Sequence, residues 1–409
     1  MTESFEFPPF ETSAFRANGD TAQDPQVKPP IPLGGDLLLG GGRGTAPPPT
    51  LPAATPFETV TEARPPAQAA PPPVPDPAGE EGVRITLWGG SSSGKTTYLG
   101  ALPFAIQQAR TNPRYGSWML TPLNDGTHEF QAETTTTLDT ARTFPPPTSV
   151  LESGLSWRLR GRVHEGGLAG LRRGVRQARG RQEEDTFTLN VPDVPGEWFG
   201  GGDSIDDMKM RREGVFKAQK ETLTRELARS HGIVYLFDPT AELAAANSFQ
   251  YLHDLLSRLQ MQIEQEGRIR DNRLPHYVAI CVTKFDTKWV LDRALEARLV
   301  KQDQHGQPAV PQENAEVFFD LLCRTLGPSG QNVANALKAA FHPKRTMYFV
   351  TSAVGFRRGP DGTGFDMAQP SQINPAVGGV QRIMDQIRPI NVLEPLVELE
   401  RLYRSGGHR

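Results

Sequence analysis

Gly89-Gly90-Ser91-Ser92-Ser93-Gly94-Lys95-Thr96 fits the pattern G-x-x-x-x-G-K-[ST]. An apolar run from Val83 to Trp88 precedes it and reads as a strand; Thr97 to Arg110 follows it and reads as a helix. That order of strand, loop and helix is what gives the pattern meaning. The loop carries no bulky side chain, so successive backbone N–H groups can turn inward around phosphate oxygens. The helix behind it, opening at Thr97, adds the partial positive charge of its N-terminus. Lys95 supplies a cation for β- and γ-phosphates, and the Thr96 hydroxyl is a ligand for Mg²⁺. A flexible Gly/Ser turn is the plainer alternative, and the flanking elements argue against it.

Downstream, apolar runs alternate with helical patterns. Ile233–Phe237, Tyr277–Val282 and Met347–Val350 are nearly continuous apolar stretches, as expected of strands covered on both faces. Leu155–Val163 and Thr186–Val191 alternate apolar and polar residues, the pattern of a half-exposed antiparallel pair. Ser117–Leu123 reads as an extra strand and Phe130–Phe144 as a helix. Further helices are expected at Glu213–Arg229, Phe249–Gly267, Val290–Lys301, Glu313–Leu326 and Asn332–Phe341. The predicted fold is α/β in three layers, a mostly parallel sheet with one antiparallel edge strand. Ligands of such sheets bind beyond the carboxyl ends of the strands.

Three more motifs fall at those ends. Asp193-Val194-Pro195-Gly196 closes Thr186–Val191; an Asp there suits Mg²⁺ through a water, and Gly196 lets a backbone N–H approach a γ-phosphate. Thr283-Lys284-Phe285-Asp286 closes Tyr277–Val282. The Asp286 carboxylate matches the N1–H and 2-amino donors of guanine, whereas adenine would leave it unpaired. The Lys284 stem is long enough to lie over a purine face. Thr351-Ser352-Ala353 follows Met347–Val350, and its small residues permit a backbone N–H to reach guanine O6. Read one by one, these short patterns also describe a tight turn and solvated strand ends.

Taken together, Gly89–Thr96, Asp193–Gly196, Thr283–Asp286 and Ser352-Ala353 resemble the motif set of the Ras-like, translation-factor-class P-loop GTPases over residues 83 to about 356. Asp193-Val194-Pro195-Gly196-Glu197 and Asn391-Val392-Leu393-Glu394-Pro395-Leu396 resemble, more narrowly, the bacterial double-GTPase domains. The resemblance implies GTP/GDP and Mg²⁺ as ligands. It implies action with partner proteins, including a second GTPase-like protein, in bacterial conflict or signalling systems.

In that class a threonine preceding the antiparallel strand reaches Mg²⁺ and the γ-phosphate. Thr148 holds the matching place, and Thr134–Thr137 form a second cluster inside a helical pattern, where such a run is expected at the surface. The interval from Thr97 to Asp193 is longer than the class pattern, implying an insertion over or beside the nucleotide at about 111–147. Glu197 stands where many relatives carry Gln. It either orients water or acts as a base, or it turns away from the like charge of a triphosphate. Lys95, Thr148, Gly196 and Glu197 form the candidate catalytic set, and Thr96, Asp193 and Thr148 the metal set. Arg142 is close enough in sequence to serve as a charge-stabilising arginine, or it is a surface residue. The cluster Arg172, Arg173, Arg176, Arg179 and Arg181, in a basic loop at about 164–184, reads as solvated or as a docking patch for an acidic partner.

The 409 residues carry 44 basic and 47 acidic side chains, a net charge of −3, which gives no whole-chain case for nucleic acid or an anionic membrane. About half of the 37 prolines fall in residues 1–82, which read as a disordered Pro/Gly-rich arm. Phe5, Phe7, Phe10 and Phe15 there are either a docking motif or a sparse tail. The GTPase domain is expected over 83–403, with a tail at 404–409. Two cysteines, Cys281 and Cys323, exclude a disulfide framework, and Cys281 reads as a core residue. The histidines lack metal-ligand spacing; His231 and His276 read as surface or strand-end residues. No secretory signal or bilayer-length apolar run is visible, so a cytoplasmic protein is expected. Leu393, Leu396, Val397 and Leu402 are expected to pack a terminal helix on the sheet.

Overall fold

The computed structural model describes residues 82–90, 92–112, 114–146, 154–162, 185–192, 220–359, 362, 364–366, 369–377 and 380–406. Seven strands form one sheet in the order β2-β3-β4-β1-β5-β6-β9. They are β1 Val83–Gly89, β2 Trp118–Pro122, β3 Leu155–Gly161, β4 Asp185–Val191, β5 Gly232–Phe237, β6 Tyr277–Val282 and β9 Thr346–Val350. β1 pairs in parallel with β4 and β5, β5 with β6, and β6 with β9. β3 runs antiparallel to β4, in register from Leu155↔Val191 to Gly161↔Asp185. β2 pairs antiparallel with β3 and so regains the common direction. The single reversed strand is therefore β3, and β2 takes the edge outside it.

Helices cover both faces because alternate residues of the central strands point opposite ways. On β5, Ile233, Tyr235 and Phe237 enter one core while Val234 and Leu236 enter the other. The first core is closed by α3 at 220–229, α5 Ser248–Gln265, α6 Lys288–Glu296, α7 Gln312–Thr325 and α8 Gly327–Ala340. The second is closed by α1 Lys95–Ala109, α2 Asp125–Asp139 and the terminal helix α9 Glu394–Gly406. Leu393, Leu396 and Val397 are buried there, and Leu402 packs at its margin. Cys281 is fully buried in this core. A short helix α4, Pro239–Ala245, follows β5, and the ribbons β7–β8 (Lys301–Gln302, Pro308–Ala309) and β10–β11 (Ile373–Val377, Val380–Ile383) stand apart from the main sheet.

Several elements depart from the sequence reading for local reasons. α2 starts at Asp125, well before Phe130, because the Asn124 side chain accepts from Thr127 N and caps the helix. It ends at Asp139, short of the Pro145–Pro147 run. α6 stops at Glu296, and Arg298 adopts a left-handed φ of 56° that turns the chain away. Residues 301–302 then join a ribbon whose turn is held by Asp303 Oδ1, which accepts from His305 N and Gln307 N. α8 begins at Gly327, with proline in its first turn, where a fixed φ favours initiation. Thr134 is buried against α1 and donates to Phe130 O, so the Thr134–Thr137 run is not wholly at the surface. Of the two expectations for His276, the strand-end place holds, since β6 starts at Tyr277, but the surface one does not: it is only 1% exposed, with its pKa pushed down to about 4 chiefly by burial. The expected insertion at 111–147 contains β2 and α2, which extend the sheet and pack beside α1.

No described helix is long and apolar enough to cross a membrane.

Candidate functional site

The turn from β1 into α1 is shaped by two glycines. Gly94 occupies the position before α1 with φ +87°, a conformation that side chains with a Cβ rarely adopt. At Gly89 a Cβ would meet Ser93 Oγ at 2.5 Å and the Leu236 carbonyl of the neighbouring strand at 2.9 Å. The loop thus closes tightly over the end of β5. Ser93 is buried, and its hydroxyl has no hydrogen-bond partner among the described residues. Lys95 Nζ folds back and donates to Gly89 O and Gly90 O, each at 2.8 Å. Burial pushes the Lys95 ammonium down to about pKa 8. A cation held, among the described residues, by neutral carbonyls in a desolvated loop is poised to gain from an anion.

The second wall comes from the ends of β6 and β9. Thr283 N donates to Phe237 O and Thr351 N to Val282 O, so the strand-to-strand bonding continues into both loops. Lys284 takes a left-handed φ of 56°, and its Nζ meets Asp238 Oδ2 at 2.5 Å. Asp238, at the end of β5, also caps α4 by accepting from Thr240 N and Ala241 N. Asp286 is buried, with its Oδ1 accepting from Ser352 Oγ at 2.6 Å. Burial holds its carboxyl above the usual range, opposed by that hydrogen bond and by the Lys284 charge; the Asp238 charge adds to the rise. Ser352 Oγ in turn accepts from Gly355 N. Ile390 and Asn391 support this loop from behind: Asn391 Nδ2 donates to Val350 O, and Ser352 and Ile390 exchange backbone bonds.

These walls enclose one cavity of about 660 Å³, a size that suits small-molecule ligands. Ser92, Ser93, Gly94, Lys95, Thr96 and Thr97 line one part of it, and Thr283, Lys284, Asp286 and Ala353 another. Ser352 lies behind Asp286 and orients it. Gly89 and Gly90 act through the loop and through Lys95. Ser91, Thr148, Asp193, Gly196 and Glu197 lie outside the described residues, as do Arg172, Arg173, Arg176, Arg179 and Arg181 and the 1–81 arm. Arg142 does not line the cavity; it has a left-handed φ of 51°, and its guanidinium donates to Met384 O.

The sequence reading missed several walls. Asp238, which does not line the cavity but holds Lys284, was legible only as the polar residue ending an apolar strand. Phe144, Pro145 and Pro146 line the cavity where the segment leading to Thr148 enters. Ile373 and Gln381 reach it from the β10–β11 ribbon, and no motif pointed to them. Chemically, the site offers backbone amides and an ammonium for phosphates at one end. At the other it offers a desolvated carboxylate and small residues for a ring with N–H donors. Thr96 supplies an oxygen beside Lys95, a donor type that fits Mg²⁺.

No family model and no curated protein matches the chain. Among solved structures it is similar to the signal recognition particle receptor SRb-GTP/SRX complex from Chaetomium thermophilum. The identity is 15%, the match covers 68% of this chain and 93% of that one, and the TM-score is 0.31. It is also similar to a protein from Thermus thermophilus, at 15% identity over 66% of this chain and 37% of that one, TM-score 0.23. At those TM-scores neither likeness carries weight.

Proposed function

We propose that this chain is a guanine-nucleotide-binding molecular switch that hydrolyses GTP slowly. The observation that carries the reading is the meeting, in one cavity, of the Gly94–Thr97 turn with Asp286 and Ala353. Their separation along the chain makes that convergence hard to attribute to unrelated turns. In this reading the loop amides and Lys95 bind the phosphates, and Asp286 accepts from guanine N1–H and the 2-amino group. The Ala353 backbone faces O6, and Lys284 covers the ring. Thr96, Asp193 and Thr148 would hold Mg²⁺, which neutralises charge on the β- and γ-phosphates. Gly196 and Glu197 would address the γ-phosphate and the attacking water. The double-GTPase resemblance supports a bacterial, cytoplasmic setting with partner proteins, a second GTPase among them.

A second reading is a nucleotide-binding scaffold that organises partners without hydrolysis. It is favoured by the cavity's composition: among the described lining residues, Lys95 and Lys284 are the cations, Asp286 is the one acid, and there is no arginine. Calorimetry of the full chain with Mg²⁺ and GDP, GTP, ADP or ATP tests the common part. Guanine nucleotides should bind at least a hundredfold more tightly than adenine nucleotides, and equal uptake ends both readings. Phosphate release under single turnover separates them, since the scaffold predicts none.

A further inference from the structure

The β10–β11 ribbon is built into the cavity wall. Ile373 lies opposite Ile383 in the ribbon's register. Residues two apart on a strand share a face, so Gln381 and Ile383 point the same way and Arg382 the other. Ile383 is buried with Val354, against which Phe144 also packs. That face therefore looks on to the cavity, and Ile373 and Gln381 continue it as lining residues.

The ribbon is fastened on two sides. At its root, buried Gln372 donates through Nε2 to Val354 O at 2.9 Å and Phe356 O at 3.0 Å, tying it to the loop after Ala353. On its flank, Ile383 N donates to Arg142 O, and Thr143 bridges Arg382 just before Phe144 enters the cavity. Gln381 thus sits on a strand braced from both sides, not on a free loop.

We propose that this ribbon is a wall for the nucleoside and that Gln381 is a specificity residue contacting the sugar hydroxyls. The inference rests on the nucleotide reading above. There, the phosphates are met by the Gly94–Thr97 turn and the base by Asp286, Ala353 and Lys284. Ile373 and Gln381 belong to neither group. A carboxamide both donates and accepts, which matches a hydroxyl. The sugar is the part of a nucleotide that offers hydroxyls, and Ile373 supplies apolar cover beside it.

The test is calorimetry of the full chain with Mg²⁺, titrating GDP, 2′,3′-dideoxy-GDP and ADP into the wild type, Gln381→Ala and Arg382→Ala. One neutral hydrogen bond is worth about threefold to tenfold in affinity. Wild type should lose that much when the sugar hydroxyls are removed. Gln381→Ala should lose a similar factor for GDP and show little further loss with the dideoxy ligand. Arg382→Ala, on the opposite face, should bind GDP as the wild type does. Unchanged GDP affinity in Gln381→Ala, or losses that simply add, would overturn the sugar contact while guanine preference over ADP stands. Failure of wild type to prefer GDP over ADP instead brings down the nucleotide reading, and the sugar contact with it.

Discussion

Asp286→Asn should separate recognition from stability. The carboxylate is buried and already accepts from Ser352 Oγ at 2.6 Å. In the proposed complex it accepts two further bonds, from guanine N1–H and the 2-amino group. Hydrogen bonds to a charged group contribute about 1.5–3 kcal/mol each. Losing both would nominally weaken GDP by some 3–6 kcal/mol, on the order of a hundredfold to ten-thousandfold. The asparagine amide also turns a donor toward a donor, whereas xanthine presents a carbonyl at position 2, so xanthosine diphosphate should bind the variant better than GDP does. The ligand-free protein should respond in the opposite sense. Burial raises the Asp286 pKa, so the native state holds its proton to higher pH than the unfolded chain does. Stability contributed by the protonated form is lost as pH rises through the folded value, and at neutral pH the charged carboxylate is a cost. An isosteric neutral side chain that keeps the Ser352 bond should therefore raise the melting temperature at pH 7. Calorimetry and thermal unfolding on the same preparation decide the matter. GDP affinity within threefold of wild type refutes base readout at Asp286, and a lowered melting temperature refutes the cost assigned to its burial.

Gly89→Ala should lower stability by about 1–3 kcal/mol, as overpacking does, because the new Cβ meets the Leu236 carbonyl at 2.9 Å; a urea midpoint equal to wild type would contradict that close approach. With Lys95 near pKa 8 in the free site and raised by a bound phosphate, GDP affinity should be flat below about pH 7. It should then fall by up to about tenfold per unit above pH 8, with proton uptake visible in buffers of different ionisation enthalpy; a flat profile to pH 9.5 would count against phosphate contact by Lys95. His276, held near pKa 4 by burial, contributes stability that is present above its ordinary value of about 6.5 and lost as pH falls toward 4. That loss is on the order of 3 kcal/mol, and a His276→Asn protein with the same acid slope would show the source to lie elsewhere.

The sheet was legible because burial on two faces leaves an unbroken apolar signature. Ile233–Phe237 and Tyr277–Val282 can occupy few other environments. Helix starts were less so: Asn124 and Pro328 set them through caps and backbone preference, while apolar spacing marks only the buried stripe. Of the motif residues, Ser92–Thr97, Thr283, Lys284, Asp286 and Ala353 reach one cavity, and they stood out in the sequence as short patterns at strand ends. Gln381 and Ile373 did not, because they reach the cavity only through a ribbon that folds back onto it. That placement depends on Gln372 bonding to Val354 O and Phe356 O, a tertiary contact with no local pattern. The burial of His276 went unseen for a similar reason. A histidine at a strand start looks solvent-facing until α3 and Arg268 close over it.

The polar residues of the cavity differ from those of the frame in how completely the protein satisfies them. Asp238 is a frame residue: its carboxylate meets Lys284 and the first turn of α4. Glu398 is another, paired with Arg114 and Arg401. Lys95 instead sets its charge against two neutral carbonyls, and Asp286 faces the Ser352 hydroxyl and its own backbone N–H, with the Lys284 charge acting on it without a direct ion pair. A perturbed acid alone does not mark a site, for burial also raises Glu394, at the start of α9 and outside the cavity. What distinguishes Lys95 and Asp286 is that both desolvated charges open on the same 660 Å³. Among the described residues neither forms an ion pair, and the two are of opposite sign. A ligand that is anionic at one end and rich in N–H donors at the other relieves both costs at once, which a simple anion or a neutral purine cannot do. On this argument Lys95→Ala and Asp286→Asn should each retain part of the binding through the other end, and combining them should abolish it.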